Sequence, residues 1–202
     1  ENTVDVVNTR TFEVEKRIPL ANGPHNLSAS MSARKVYVAI IAEPLIQVID
    51  MDSNEIIANI ETGGGVHNTF VTPDGRYAVG GMIGASEIIA IDTQTDEVKF
   101  EMSIPYSQNP FVGGVRPLTF TVNEDGSTRS MLVNVGGWHG FWEFDWETQE
   151  LMNKVSPPDG SWERMDQTAD GIQSAPSHGV VVLPDQSQVW HSSRATSHIY
   201  GY

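Results

Sequence analysis

The residues of this chain best suited to chemistry are its six histidines, and three of them share one position. His25, His67 and His178 each stand seven residues ahead of a turn segment, at the mouth of a strand-like run. Neutral imidazole is a good ligand for Cu, Fe, Ni or Zn, and three imidazoles with an open coordination position suit a reactive metal. There is no local motif of the His-Glu-x-x-His kind, so only a fold that superimposes distant segments can gather these rings. His139, His191 and His198 fall in or beside other connections, and Arg116, Arg194 and Trp162 complete a candidate ligand-binding set. Three readings follow from the residue types. His25, His67 and His178 hold Cu, Fe or Zn; or the imidazoles and Arg116 hold an anionic or polar small molecule, with scope for acid–base chemistry. In the third, the histidines pair with backbone groups and water at a rim.

What must position them is a repeat. Val6-Val7-Asn8-Thr9, Val48-Ile49-Asp50-Met51, Ala90-Ile91-Asp92-Thr93 and Glu143-Phe144-Asp145-Trp146 are four versions of one strand ending. Asn8, Asp50 and Asp92 are spaced by 42 residues and Asp145 follows after 53. A period of that length marks one supersecondary unit copied along the chain, each copy hiding its apolar faces on its neighbours. The clearest unit reads as four strands: 68–72, then the turn Pro73-Asp74-Gly75-Arg76, 77–81, 87–92, and 97–102 after the turn Thr93-Gln94-Thr95-Asp96. Its last strand alternates apolar and charged residues with period 2, as an outer, half-exposed strand should. Its third is continuously apolar, as a strand covered on both faces should be.

These patterns predict an all-β fold, a β-propeller of four-stranded antiparallel blades, with residues 1–202 forming a single domain. Whole blades are expected at about 25–60, 67–104 and 116–154, with partial ones at 1–20 and 178–202. Three whole blades between two partial ones read as a portion of a larger ring, closed by the remainder of the propeller or by a partner chain.

The segments Val36-Tyr37-Val38-Ala39, Ile46-Gln47-Val48-Ile49-Asp50, Thr72-Pro73-Asp74-Gly75-Arg76-Tyr77-Ala78-Val79 and Ile91-Asp92-Thr93-Gln94-Thr95-Asp96-Glu97-Val98 resemble the YVTN family of β-propeller repeats. The resemblance covers nearly the whole chain and departs from the family pattern in the last two units, whose connecting loops are much longer. It implies a seven-bladed ring in a periplasmic or secreted protein. Family members include surface-layer proteins, and related propellers occur in amine dehydrogenases and cytochrome-type nitrite reductases. A fold shared by binders, enzymes and scaffolds does not choose among them.

In an up-and-down blade the loops from strand two to three, and from blade to blade, lie on one face of the disc. That face is expected to carry every histidine, while the opposite one carries only short regular turns. Counting back from Asp125, Leu118 takes the histidine position in the third whole unit, with Arg116 two residues earlier. Two expanded connections, 104–115 with Tyr106 and Phe111 and 155–177 with Trp162, read as lids over the channel mouth. Trp142 and Trp190 are expected to pack between blades. Gly63-Gly64-Gly65 is expected to let the chain turn sharply into an inner strand, since no Lys-Ser/Thr pair makes it a phosphate loop.

Composition narrows the partners. A net charge of −14 argues against nucleic acid, and no run of about 20 apolar residues is present to span a membrane. The absence of cysteine removes disulfides and thiolate chemistry. The expected function is therefore a ligand- or cofactor-binding propeller with a histidine-lined site at the axial mouth; whether it acts as a metal-dependent or redox enzyme is left open by the sequence. The alternative is a non-catalytic scaffold that binds protein, a surface-layer role included.

Overall fold

A computed structural model describes residues 2–104, 114–158 and 176–202. The described residues form seventeen strands in five antiparallel sheets. A two-stranded sheet, β1 (Thr3–Val7) and β2 (Val14–Pro19), comes first. Three four-stranded meanders follow: β3 (Pro24–Ser30), β4 (Lys35–Ile40), β5 (Leu45–Asp50), β6 (Glu55–Glu61); β7 (Val66–Val71), β8 (Tyr77–Met82), β9 (Glu87–Asp92), β10 (Val98–Ser103); and β11 (Val115–Val122), β12 (Thr128–Val135), β13 (Phe141–Asp145), β14 (Leu151–Val155). The last sheet has three strands, β15 (Ser177–Val182), β16 (Val189–Ser193) and β17 (His198–Gly201). The inner strands β3, β7, β11 and β15 touch one another in that order. The fold is the expected all-β propeller of four-stranded blades.

The recurring Asn/Asp ends each third strand because its side chain closes the next turn. Asn8, Asp50 and Asp145 each accept two backbone N–H groups from the residues two and three positions on, and Asp92 accepts that of Gln94. Four residues after each, Phe12, Asn54, Asp96 and Gln149 take positive φ near 60° and return their N–H to the carbonyl of the Asn/Asp. The 42-residue period of the sequence is therefore a period of Asx turns. On the same side of the disc, Asp74, Asp125 and Asp185 close the turns between first and second strands.

Alternate residues of the middle strands serve two neighbours. Ala78, Ile89 and Ile91 pack back on Tyr37, Ala39, Ile46 and Val48, whereas Val79, Ile88 and Ala90 pack forward on Leu118, Val133 and Trp142. Each buried Ile or Val in these layers contributes about 1.5–3 kcal/mol. Gly65 earns its place by close approach: a Cβ there would lie 2.1 Å from the Ile41 carbonyl oxygen, where the chain crosses into the inner strand β7.

The last sheet differs. By register, Trp190 and Ile199 occupy the positions of Val79 and Ile88. Yet Trp190 is 39% and Ile199 69% exposed, beside a groove of about 630 Å³ that Val181 and Leu183 also line. Trp142 packs between blades as expected; Trp190 does not, because no described sheet lies beyond it.

Candidate functional site at the axial mouth

The three equivalent histidines do come together. The His25 and His67 ring centroids lie 4.3 Å apart, and those of His67 and His178 lie 6.2 Å apart. What aims them is a bulge. In β3, pairing with β4 jumps from Pro24↔Ile40 to Asn26↔Ala39 and leaves His25 without a partner. His67 in β7 and His178 in β15 occupy the same bulge. An extra residue on one strand bends the ladder and redirects its side chain, here at the inner-strand mouth of each blade.

The same bulge corrects the count in the third complete blade. In β11 the pairing jumps from Val115↔Val135 to Leu118↔Val133, so the bulge holds Arg116 and Pro117. Leu118 is 1% exposed and belongs to the interblade core. Arg116 stands at the histidine position, and counting from the turn missed this because β11 and β12 are eight residues long where β7 and β8 are six, which sets the bulge two residues further from the turn. The position thus reads His, His, Arg, His around the mouth.

Both close imidazoles have their tautomer set. His25 donates its Nδ1–H to the carbonyl of His67 at 2.6 Å, and His67 donates its own to the side-chain carbonyl of Asn68. The neutral form of each ring therefore carries its lone pair on Nε2, the nitrogen that ligates a metal or accepts a proton. Burial pushes the pKa of His67 down to about 4; positive charge from His25, Arg116 and His178 adds to this, and the Asn68 bond opposes it. His67 is therefore neutral at pH 7. Arg116 is 9% exposed; burial works against its charge, and nearby Arg194 does too. In a chain of net charge −14, basic groups have been gathered where burial disfavours them.

The other predicted residues lie elsewhere. His139, in the connection from β12 to β13, is fully buried with its ring centroid 5.8 Å from that of His191. His191 is not in a connection: it pairs with Val180 and Tyr200 inside the sheet, at the register position where β8 has Gly80. Exposed His198 bonds the Thr196 carbonyl. Trp162, Tyr106 and Phe111, with most of both expected lids, lie outside the described residues. As they stand, the three axial rings are not a finished metal cage: among the described residues, no group of three or more His, Cys, Asp or Glu side chains is placed to hold a metal ion. No described helix is long and apolar enough to cross a membrane.

No protein-family model matches the chain, and no curated protein is significantly similar to it in sequence. Among solved structures, it is similar to Kuenenia stuttgartiensis hydrazine synthase, with a TM-score of 0.67 at 16% identity over 95% of this chain and 50% of that one. It is also similar to the dihydro-heme d1 dehydrogenase NirN in complex with DHE, with a TM-score of 0.68 at 18% identity over 96% of this chain and 37% of that one. The chain thus spans half or less of the length of these proteins, and the likeness at this identity is one of fold: a β-propeller.

Proposed function

We propose that the axial mouth binds a heme-type cofactor or substrate, a planar tetrapyrrole that carries its own metal and peripheral carboxylates. The observation that carries this reading is the pair His25 and His67, each with Nδ1–H given to a carbonyl and Nε2 left basic, beside buried Arg116. A protein-only metal centre needs three or four side-chain ligands, which the described residues do not assemble. A macrocycle that brings four nitrogen donors needs one imidazole, so the residues present fit the group. NirN, similar to this chain in fold, has heme d1 chemistry in its name, and the repeats resemble a family related to cytochrome-type nitrite reductases.

When bound, such a group supplies redox chemistry at its metal. The chain's own residues supply the rest. Arg116 and Arg194 offer guanidinium groups to carboxylates, and a desolvated guanidinium gains most from such a charge-assisted bond. Neutral His67 holds an unprotonated Nε2 that would ligate the group or take a proton; His178, two blades on, narrows the mouth with its ring 6.2 Å from that of His67. The reading makes the protein a cofactor-binding propeller with a redox role.

Titration of the chain with ferric protoporphyrin, followed by its absorbance, tests the proposal. Saturable one-to-one binding that weakens at least tenfold in His67→Ala and Arg116→Ala is expected. Binding that ignores both substitutions, or no binding by the unaltered chain, overturns it.

The uncovered face of the last sheet supports a second element of the same reading. Val79 and Ile88 are buried by the next blade, and the exposure of Trp190 and Ile199 at the same register positions supports a further blade packing on this sheet.

A further inference from the structure

In each complete blade, the strand pair behind the bulge opens with two apolar residues facing across the ladder: Pro24 and Ile40, Val66 and Met82, Val115 and Val135. In the last sheet the same pair is Ser177 and Ser193. Both are buried, at 1% and 6% exposure, so two hydroxyls stand where the repeat calls for hydrocarbon. Such a substitution forfeits apolar burial and needs hydrogen bonds to be tolerated.

Three of those bonds reach one loop, the β12–β13 connection, and the fourth stays within the last sheet. Ser177 Oγ accepts the Gly140 N–H at 2.6 Å and donates to the Trp138 carbonyl at 3.3 Å. Ser193 Oγ lies 2.7 Å from His139 Nε2 and accepts the Thr196 N–H at 3.1 Å. The loop is itself fixed in place: Gly140 has φ of +123°, and a Cβ there would sit 1.8 Å from the Val155 carbonyl oxygen. The residue after Ser177 is His178, and the residue after Ser193 is Arg194, the two groups that the last sheet sends to the axial mouth.

We propose that Ser177, Ser193 and His139 are positioning residues, a polar clamp from the neighbouring blade that sets where His178 and Arg194 stand at the axial mouth. The inference rests on the axial reading for its purpose, but its geometry can be tested without any ligand. The ordinary apolar pair supplies the decisive variant: Ser177→Val with Ser193→Met keeps the layer filled while removing the clamp. Ser193→Ala is the milder change, and Ser193→Thr retains the hydroxyl.

Two readouts are needed, the NMR ring resonances of His178 in the ligand-free chain and the affinity for ferric protoporphyrin. The expected result is displaced His178 ring resonances and about tenfold weaker porphyrin binding in both the double variant and Ser193→Ala, with Ser193→Thr close to the unaltered protein. Unmoved His178 resonances with unchanged affinity in folded variants overturn the clamp and leave the axial site standing. Displaced resonances in a chain that never binds porphyrin uphold the clamp and overturn the axial reading instead.

Discussion

Two histidine groups built by one repeat have come out opposite in character. At the axial mouth, His25, His67 and His178 sit on bulges, two of them exposed, with Nδ1 of His25 and of His67 spent on a carbonyl. In the seam between the third complete blade and the last sheet, His139 and His191 are 0% and 1% exposed among aromatic rings. Both nitrogens of His191 are buried without a hydrogen-bond partner among the described residues, and its ring stacks on Tyr200. The difference shows that imidazole alone does not mark a site. A bulge that turns the ring toward the axis and a neighbouring carbonyl that fixes its tautomer make the first group available for chemistry; in the second group His139 holds Ser193 and His191 is packing material with polar edges.

The largest effect expected is on the seam. Gly140→Ala forces a side chain onto the Val155 carbonyl at a φ that L-residues avoid, at a cost of about 3 kcal/mol or more. Gly126→Ala, at positive φ but with nothing within 4 Å of its Cβ, should cost only about 1 kcal/mol. Urea denaturation of the two variants measures the gap. Equal losses would mean that the β12–β13 connection is not held as tightly as the comparison requires.

At the mouth, Arg116→Leu should weaken porphyrin binding by about 10- to 100-fold, whereas His191→Leu should change it less than threefold. Isothermal titration distinguishes them. A His191 variant as impaired as the Arg116 one would merge the two groups into a single site and break the contrast drawn between them.

Acid should separate the groups by stability. Burial, and then the charge of His139, pushes the pKa of His191 down to about 4. The native value lies below the unfolded value near 6.5, so the unfolded chain takes up the proton first. Stability from this residue is therefore full above about pH 7 and declines as pH falls from 6.5 towards 4. The loss should reach about 2 kcal/mol after allowance for solvent screening. His191→Leu fills the seam with hydrocarbon and should remove that portion of the acid sensitivity, leaving the part that neutral His67 contributes over the same range. Melting curves of both proteins between pH 4 and 8 carry the test; parallel pH profiles would show that His191 is hydrated and not sealed in the seam.

How much of this was legible in the sequence depends on whether a period or a count was needed. The Asx-turn aspartates recur at 42 residues, so β5, β9 and the turns after them follow from Asp50 and Asp92. In the clearest unit β9 falls on its expected bounds, 87–92, and β8 runs one residue past the expected 77–81. The inner strand β7 begins at Val66, two residues before the expected 68, because the bulge histidine interrupts the alternation. Arg116 was hidden by hairpin length: β11 and β12 are eight residues each where β7 and β8 are six, so a count back from the turn stops two places short. Its signal was the oddity of a basic residue beside Pro117 at the head of an apolar run. The Ser177 and Ser193 clamp was invisible, since two serines 16 residues apart declare themselves only when the register sets them opposite each other.

The smallest effect sharpens the comparison most. His198 opens β17, exposed, with its Nδ1–H donated to the Thr196 carbonyl and its ring near Tyr200. It matches the mouth histidines in exposure and the seam histidines in location. If tautomer control alone made an imidazole functional, His198 would qualify, for it too gives its Nδ1–H to a carbonyl. What it lacks is the bulge: it is an ordinary ladder residue, paired with Ser193. His198→Ala should therefore shift stability by no more than about 0.5 kcal/mol and leave porphyrin affinity unchanged within twofold. A tenfold loss of affinity in this variant would show that the ligand extends outward over the last sheet, and that the bulge is not the feature that divides the working histidines from the others.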